Sequence, residues 1–173
     1  MALYQFYLAV IPRVGLVKKL NHIPDKISIG NATGYFESNT EQYWKIVEFP
    51  SEEIIKEMDK LVDQADWGND KSNFNWKTHT EELDHDASLS TNSESGKIEE
   101  FSFRADLRES DLKFLKCMID LANKYDFLFM DLKGNVAPPN EIGKLIEQSN
   151  SYKFLQNPLR FLTDLRKGET SID

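Results

Sequence analysis

Apolar and polar positions follow a two-residue period in some parts of the chain and a helical period in others. Near alternation, and short apolar runs bounded by turn residues, are typical of strands. The pattern predicts strands over residues 3–11, 43–49, 74–78, 83–90, 98–107 and 127–130. The third, fourth and fifth of these strands follow one another through short polar connections, which indicates an antiparallel meander.

Helical periodicity is clearest after Pro50. Apolar residues from Ile54 to Ala65 recur on one face of a 3.6-residue period. Ser51 is a suitable N-cap and Gly68 marks the end of the segment. The same reasoning predicts helices over residues 110–125, 141–148 and 158–167, a turn at 151–155 and an irregular chain over residues 16–34.

These elements predict a single α+β domain over residues 1–168, in which helices pack on a mainly antiparallel sheet, and a flexible tail at 169–173. A chain of 173 residues is long enough for one sizeable core. No apolar run approaches the roughly 20 residues of a membrane span, and the apolar start lacks the basic region of a signal peptide. We therefore expect a cytoplasmic, bacterial-type protein without a membrane partner.

Charge is unevenly distributed along the chain. The net charge is −8, and residues 51–70 and 81–100 carry −5 and −6 respectively. Nucleic acid is an unfavourable ligand for such a chain, because phosphate binding requires clustered Lys and Arg. An acidic surface favours a basic protein partner through complementary fields, although it also serves solubility alone.

The stretch DWGNDKSNFNWKTHTEELDHDAS, residues 66–88, concentrates the side chains that carry chemistry. His79, Glu82 and His85 are types of ligand that zinc accepts. A helix would place residues three apart on neighbouring positions, but this segment lacks the apolar stripe of a helix. On a strand, Glu82 lies on the face opposite to His79 and His85, so the expectation is no metal and no cofactor. A small metal-dependent hydrolase that uses His79, His85 and nearby acids is kept as an alternative function.

Other catalytic patterns are missing from the sequence, and no catalytic residue is predicted. The glycines are scattered rather than grouped into a phosphate-binding loop, and no nucleophile elbow occurs. Cys117 lies inside a helical pattern, which favours an inert buried thiol. Arg104, Asp106 and Arg108 alternate along one predicted strand, which favours a cross-strand ion-pair network over a binding site.

Two tryptophans, Trp67 and Trp76, lie within or beside this stretch. A tryptophan is more often a core or capping residue than a surface contact. When it is exposed beside acids, however, it has the composition of an interface hot spot. The stretch therefore fits a surface for a partner better than it fits an active site.

Several segments carry a resemblance to a known class of protein. They are ADWGN (65–69), FNWKT (74–78), DHDAS (84–88), IEEFSFRADLR (98–108), LFMDLKGN (128–135) and KFLQNPLRFL (153–162). Over residues 65–163 the chain resembles small immunity proteins of bacterial polymorphic-toxin systems, including contact-dependent inhibition. The resemblance implies an acidic cytosolic α+β domain that binds and blocks a toxin domain. The resemblance implies no catalytic residues, and it does not identify the toxin.

The sequence thus leads to the hypothesis of a non-enzymatic antitoxin that neutralises a cognate toxin domain, such as a basic nuclease, through an acidic surface. The alternatives are the metal-dependent hydrolase and an adaptor domain without a toxin partner. The pattern leaves the oligomeric state open. The residues predicted to contact the partner are Asp63, Asp66, Trp67, Asp70, Glu82, Asp84 and Asp86.

Overall fold

The computed structural model describes residues 3–30, 39–78 and 80–170. In these residues the chain forms one compact α+β domain with an antiparallel sheet, as predicted, and the sheet has six strands. The strands are β1 (Gln5–Pro12), β2 (Asn73–Lys77), β3 (Asp86–Thr91), β4 (Ile98–Asp106), β5 (Phe127–Met130) and β6 (Val136–Ala137). The helices are α1 (Arg13–Leu20), α2 (Glu41–Trp44), α3 (Ser51–Leu61), α4 (Lys113–Tyr125), α5 (Ile142–Gln148), α6 (Asn150–Gln156) and α7 (Pro158–Lys167), with a 3₁₀ turn at Pro139–Glu141.

The strand order is β2-β3-β4-β1-β5-β6, and every neighbouring pair is antiparallel. The meander of β2, β3 and β4 is confirmed. The N-terminal strand β1 lies in the middle of the sheet, between β4 and β5. Five buried positions in a row, Leu8 to Pro12, follow from this central place because both faces of the strand are covered.

The main core lies on one face of the sheet. Side chains from β1, β3 and β4 alternate onto this face and pack against the apolar stripes of α3 and α4. Trp44, Trp76, Phe101, Phe103 and Phe127 are among its largest buried side chains. A second, smaller cluster lies on the opposite face and includes residues of β1, α1 and β5. Toward β2 and β3 that opposite face is polar.

The predicted strand at 43–49 is wrong, because Tyr43 and Trp44 belong to helix α2 and no strand follows them. The irregular segment predicted at 16–34 is wrong over residues 16–20, which belong to helix α1, whereas residues 21–30 contain neither helix nor strand, as predicted. In α2, Tyr43 enters the small cluster while Trp44 enters the main core and donates from Nε1 to the Val10 carbonyl oxygen at 3.1 Å. Gly15 allows α1 to approach α2, since a Cβ at this position would lie 2.1 Å from the Tyr43 carbonyl oxygen. These packing constraints override the local pattern.

The C-terminal half follows its prediction more closely. Helix α7 begins after Asn157, whose Oδ1 accepts from Arg160 N at 3.0 Å, and ends at Gly168 with φ of 72°. The predicted turn at 151–155 is instead helix α6. Residues 171–173 of the predicted tail lie outside the described residues. No described helix has both the length and the apolar character that a membrane span requires.

Candidate functional site

The connection between α3 and β2, residues 62–72, is a well-braced loop that we call the Trp67 loop. It first runs beside β2, where Lys77 N donates to the Asp63 carbonyl oxygen at 3.1 Å and Ala65 N donates to the Asn75 carbonyl oxygen at 2.8 Å. Gln64 forms an isolated bridge with Trp76. The loop therefore covers an edge of the sheet that would otherwise present unpaired backbone groups.

Asparagine side chains hold the tip of the Trp67 loop. Asn69 donates to the Ala65 carbonyl oxygen at 2.5 Å and accepts from Asn75 N at 2.6 Å. Asn75 in turn donates to the carbonyl oxygen of Gly68 at 2.8 Å. Asp70 accepts from the backbone of the two residues that lead into β2, at 2.7 and 2.8 Å, which lowers the pKa of its carboxyl group. Such side-chain to backbone bonds fix a loop in one conformation.

The outer surface of this loop carries an exposed aromatic side chain among carboxylates. Trp67 is 52% exposed, whereas Trp76 is fully buried and donates from Nε1 to Asp59 Oδ1 at 2.8 Å. Asp63 and Asp66 are exposed and make no side-chain hydrogen bond or ion pair with any described residue. Of the two tryptophans, one is therefore a core residue and the other lies on the surface.

The remaining predicted contact residues divide into an exposed one and two that face inward. Glu82 is exposed in the connection before β3. Asp84 is half-buried and forms an ion pair with Lys77. Asp86 is 7% exposed; its carboxylate lies 2.8 Å from Arg104 Nε and 3.7 Å from Lys77 Nζ. The structure thus gives Asp84 and Asp86 partners within the protein and does not present their carboxylates as a free surface.

A buried polar network continues from Asp86 to the end of β4. Asp106 is fully buried; it accepts from Asp84 N at 3.0 Å and forms a bidentate ion pair with Arg108. Burial alone would raise the pKa of Asp106, but these hydrogen bonds outweigh burial and hold that pKa below its ordinary value. The predicted cross-strand pairing is present between Arg104 and Asp86, while Arg108 pairs along its own strand end.

His85 lies at the inner side of this network. Its Nδ1 accepts from Asp106 N at 3.0 Å, so the neutral ring carries its proton on Nε2. The ring stacks on Phe114 with centroids 4.6 Å apart, and Nε2 lies 3.4 Å from Glu109 Oε2. Burial lowers the pKa of His85, and the surrounding carboxylates of Glu109, Asp106, Asp84 and Asp86 only partly offset this effect.

The hydrogen bond at His85 Nδ1 also bears on the alternative function, a metal-dependent hydrolase. A metal ion on His85 Nε2 would need the lone pair there, which would place a proton on Nδ1 directly against Asp106 N–H. His79 lies outside the described residues. Within residues 3–30, 39–78 and 80–170, no group of three His, Cys, Asp or Glu residues has the arrangement of a metal site. His22 Nδ1 lies 2.9 Å from the Leu20 carbonyl oxygen on the surface.

Sequence patterns gave no sign of two features of this region. Gln5 in β1 donates to the Asp84 carbonyl oxygen at 2.8 Å, across 79 residues of chain. Cys117 is half-buried rather than buried, and it lines a small cleft with His85 and Glu109. Neither contact leaves a local signal, because each depends on residues that the fold brings together from distant positions.

Comparison with known proteins adds no relative: no protein family, curated protein or solved structure matches the chain. The resemblance to immunity proteins therefore remains a prediction from the quoted segments.

Proposed function

We propose that this protein is a non-enzymatic binding protein, most concretely a bacterial immunity protein that neutralises a cognate toxin domain in the cytoplasm. The observation that carries the proposal is the exposed Trp67 on a hydrogen-bonded loop. The resemblance of residues 65–163 to immunity proteins is the reason for proposing a toxin domain as the partner.

An exposed tryptophan on a hydrogen-bonded loop is well suited to binding. Tryptophan is enriched among the few residues that dominate interface energies, and it offers a large contact area with few rotatable bonds. The hydrogen bonds of Asn69 and Asn75 already order the loop, so that little conformational entropy remains to be lost when a partner binds. The loop is thereby prepared as the centre of an interface.

The charges around Trp67 favour a basic partner. Asp63, Asp66 and Asp70 present exposed carboxylates from the same loop, and Glu82 adds a further exposed carboxylate before β3. Such a field speeds the encounter with a positively charged surface and disfavours acidic competitors. If the toxin is a nuclease, these carboxylates would occupy positions that otherwise receive the phosphates of its substrate.

Asp84 and Asp86 have a supporting part in this proposal. Their ion pairs with Lys77 and Arg104 join β2, β3 and β4, and β2 is the strand against which the Trp67 loop is paired. The proposed contact surface therefore no longer includes Asp84 and Asp86, and it consists of Asp63, Asp66, Trp67, Asp70 and Glu82.

Titration calorimetry tests the proposal, with the C-terminal toxin domain encoded directly upstream of this gene as titrant. We expect one-to-one binding with a nanomolar dissociation constant that weakens as salt is added. Trp67→Ala is expected to weaken binding at least about 30-fold, the effect of a hot-spot residue. The double variant Asp63→Lys/Asp66→Lys is expected to weaken binding and flatten its salt dependence.

A matched control applies the same charge change elsewhere. Glu94→Lys/Glu147→Lys alters exposed residues in the β3–β4 turn and in α5. It should leave both the affinity and its salt dependence nearly unchanged. Equal losses of affinity in the two double variants would mean that the effect depends only on the net charge of the protein. Absence of binding by the unaltered protein would overturn the toxin proposal.

A further inference from the structure

A small cleft lies where the end of α3 and the start of α4 meet the residues that precede β3. Its volume is about 220 Å³. Leu61, Val62, Leu83 and Phe114 form its apolar lining. Sites for drug-sized ligands measure roughly 300–1,000 Å³, so this cleft suits a smaller molecule with an apolar body.

The polar part of the lining includes Lys60, Thr78 and Lys113, together with the imidazole of His85, which is 3% exposed. Because Nδ1 accepts from Asp106 N, the hydrogen on the neutral ring is carried by Nε2. Among the described residues, Nε2 has no hydrogen-bond partner. A buried N–H group without an acceptor is rare in folded proteins and points to a missing partner.

Beside this donor, the cleft offers an acceptor. Glu109 Oε2 lies 3.4 Å from His85 Nε2 and accepts from Phe114 N at 2.9 Å, which fixes the carboxylate at the start of α4. The second oxygen, Oε1, makes no hydrogen bond with another described residue. One N–H donor and one carboxylate acceptor, both largely buried, therefore lie next to each other in the cleft.

We propose that this cleft binds a small neutral molecule in which a primary carboxamide is joined to an apolar body. The amide oxygen would accept from His85 Nε2 and the amide NH₂ would donate to Glu109, while the apolar body would contact Phe114 and Leu61. Lys60 and Lys113 also line the cleft, but both are exposed to water and would attract a carboxylate only weakly. The largely buried Glu109 would repel a carboxylate, and an amidinium would leave the His85 donor without an acceptor. The inference does not depend on the proposed toxin binding.

Three probes of nearly the same shape separate these possibilities: benzamide, benzoate and benzamidinium. Cys117 also lines the cleft and is the single cysteine of the chain, so its alkylation by N-ethylmaleimide, followed by intact-mass spectrometry, reports whether the cleft is occupied. For a ligand of this size we expect a dissociation constant on the order of 1 mM. Benzamide at about ten times that concentration should slow alkylation roughly tenfold, and the two charged probes less than about twofold.

Two variants test the assigned contacts. Glu109→Gln keeps an acceptor for Phe114 N but removes the negative charge, and it should allow benzoate to protect Cys117. His85→Asn keeps an acceptor for Asp106 N but removes the Nε2 donor, and it should abolish protection by benzamide. A thermal unfolding curve for each variant confirms that it is folded before the labelling is compared.

Equal protection by all three probes would show that the cleft selects only the aromatic ring, which would overturn the carboxamide assignment. Unslowed alkylation with benzamide would overturn the site itself. If Cys117 does not react in the folded protein, the imidazole proton signals of His85, assigned by comparison with His85→Asn, provide the second measurement. A shift with benzamide alone supports the proposal, and no shift contradicts it.

Discussion

In the Trp67 loop, the carboxylates of Asp63 and Asp66 are exposed and have no partner among the described residues, whereas those of Asp86 and Asp106 are buried against arginines. Asp63, Asp66 and Asp86 come from the two strongly acidic stretches of the chain, and Asp106 follows the second stretch. Their environments differ because Arg104, Arg108 and Lys77 lie on or beside the strands that surround the second group.

The comparison shows that a concentration of acids does not by itself mark a binding surface. A buried carboxylate is tolerated only where a cation and additional hydrogen bonds compensate for its lost hydration. Asp106 has both, from Arg108 and from Asp84 N. Asp63 and Asp66 need neither because their carboxylates are exposed to water, and so these carboxylates are available to a partner.

The largest effect on stability is expected from Asp106→Ala. The substitution leaves Asp84 N without its acceptor and removes the partner of Arg108 in the buried network. We expect the free energy of unfolding to fall by about 3 kcal/mol, measured by urea denaturation at pH 7.5. Asp66→Ala is the matched control in the exposed group. A loss of similar size in both variants would remove the distinction between the two regions.

A smaller loss is expected from Asn69→Ala, which tests whether the Trp67 loop is ordered in advance of binding. The variant loses the bonds to the Ala65 carbonyl oxygen and to Asn75 N. We expect a loss of about 2 kcal/mol together with faster hydrogen exchange of the loop amides. Unchanged exchange would mean that these bonds do not hold the loop.

The pH dependence of stability should separate His85 from the carboxylates around it. Since the pKa of His85 is lowered in the folded protein, the unfolded chain takes up the proton first as the pH falls below about 6.5. The stability that the neutral ring contributes is complete above that pH and is lost on acidification. One proton limits the slope from this group to about 1.4 kcal/mol per pH unit.

Urea denaturation at pH 7.5, 6.5 and 5.5 measures this effect, with His85→Asn as the non-titrating control. The control should lose less stability over this range than the unaltered protein. Asp106, whose pKa is lowered from 3.8, contributes stability above that value and loses it only in stronger acid. Parallel curves for the protein and the variant between pH 7.5 and 5.5 would contradict the assignment to His85.

The smallest effect on stability is expected from Asp63→Lys/Asp66→Lys. Both side chains are exposed and lack partners among the described residues, so the urea midpoint should barely change. Circular dichroism should likewise show an unaltered fold. A clear drop in the midpoint would reveal a structural role for these acids and would weaken their assignment to a partner surface.

The sequence predicted the parts of the fold that local patterns determine. Helix α3 and strands β2, β4 and β5 follow from periodicity, although α3 ends at Leu61 and not near the predicted Gly68, because residues 63–65 pair with β2. Asn157 with Gly168 bounds α7 through its capping chemistry. Helix α2 was not predicted, because YWKIVEF alternates like a strand. In the structure, Trp44 packs in the main core and Tyr43 packs in the smaller hydrophobic cluster. Tertiary packing therefore determined the secondary structure of that segment.

The candidate site was predictable only in part for a similar reason. Composition pointed to residues 63–88, but it gave no means to separate the hydrated Asp66 from the paired Asp86. That difference depends on Arg104, which lies directly opposite Asp86 on the neighbouring strand β4, and on the edge pairing of Gln64 with Trp76. Register across a sheet is a long-range property that single-chain patterns do not carry.

Hydrogen exchange with mass spectrometry tests the central claim most directly, when the protein is compared alone and in complex with the toxin domain encoded upstream. The account predicts added protection of residues 63–70. The network amides of Asp84, Asp86 and Asp106 should exchange slowly in both states, since they are buried before binding. Added protection confined to another part of the chain, with the Trp67 loop unaffected, would contradict the account.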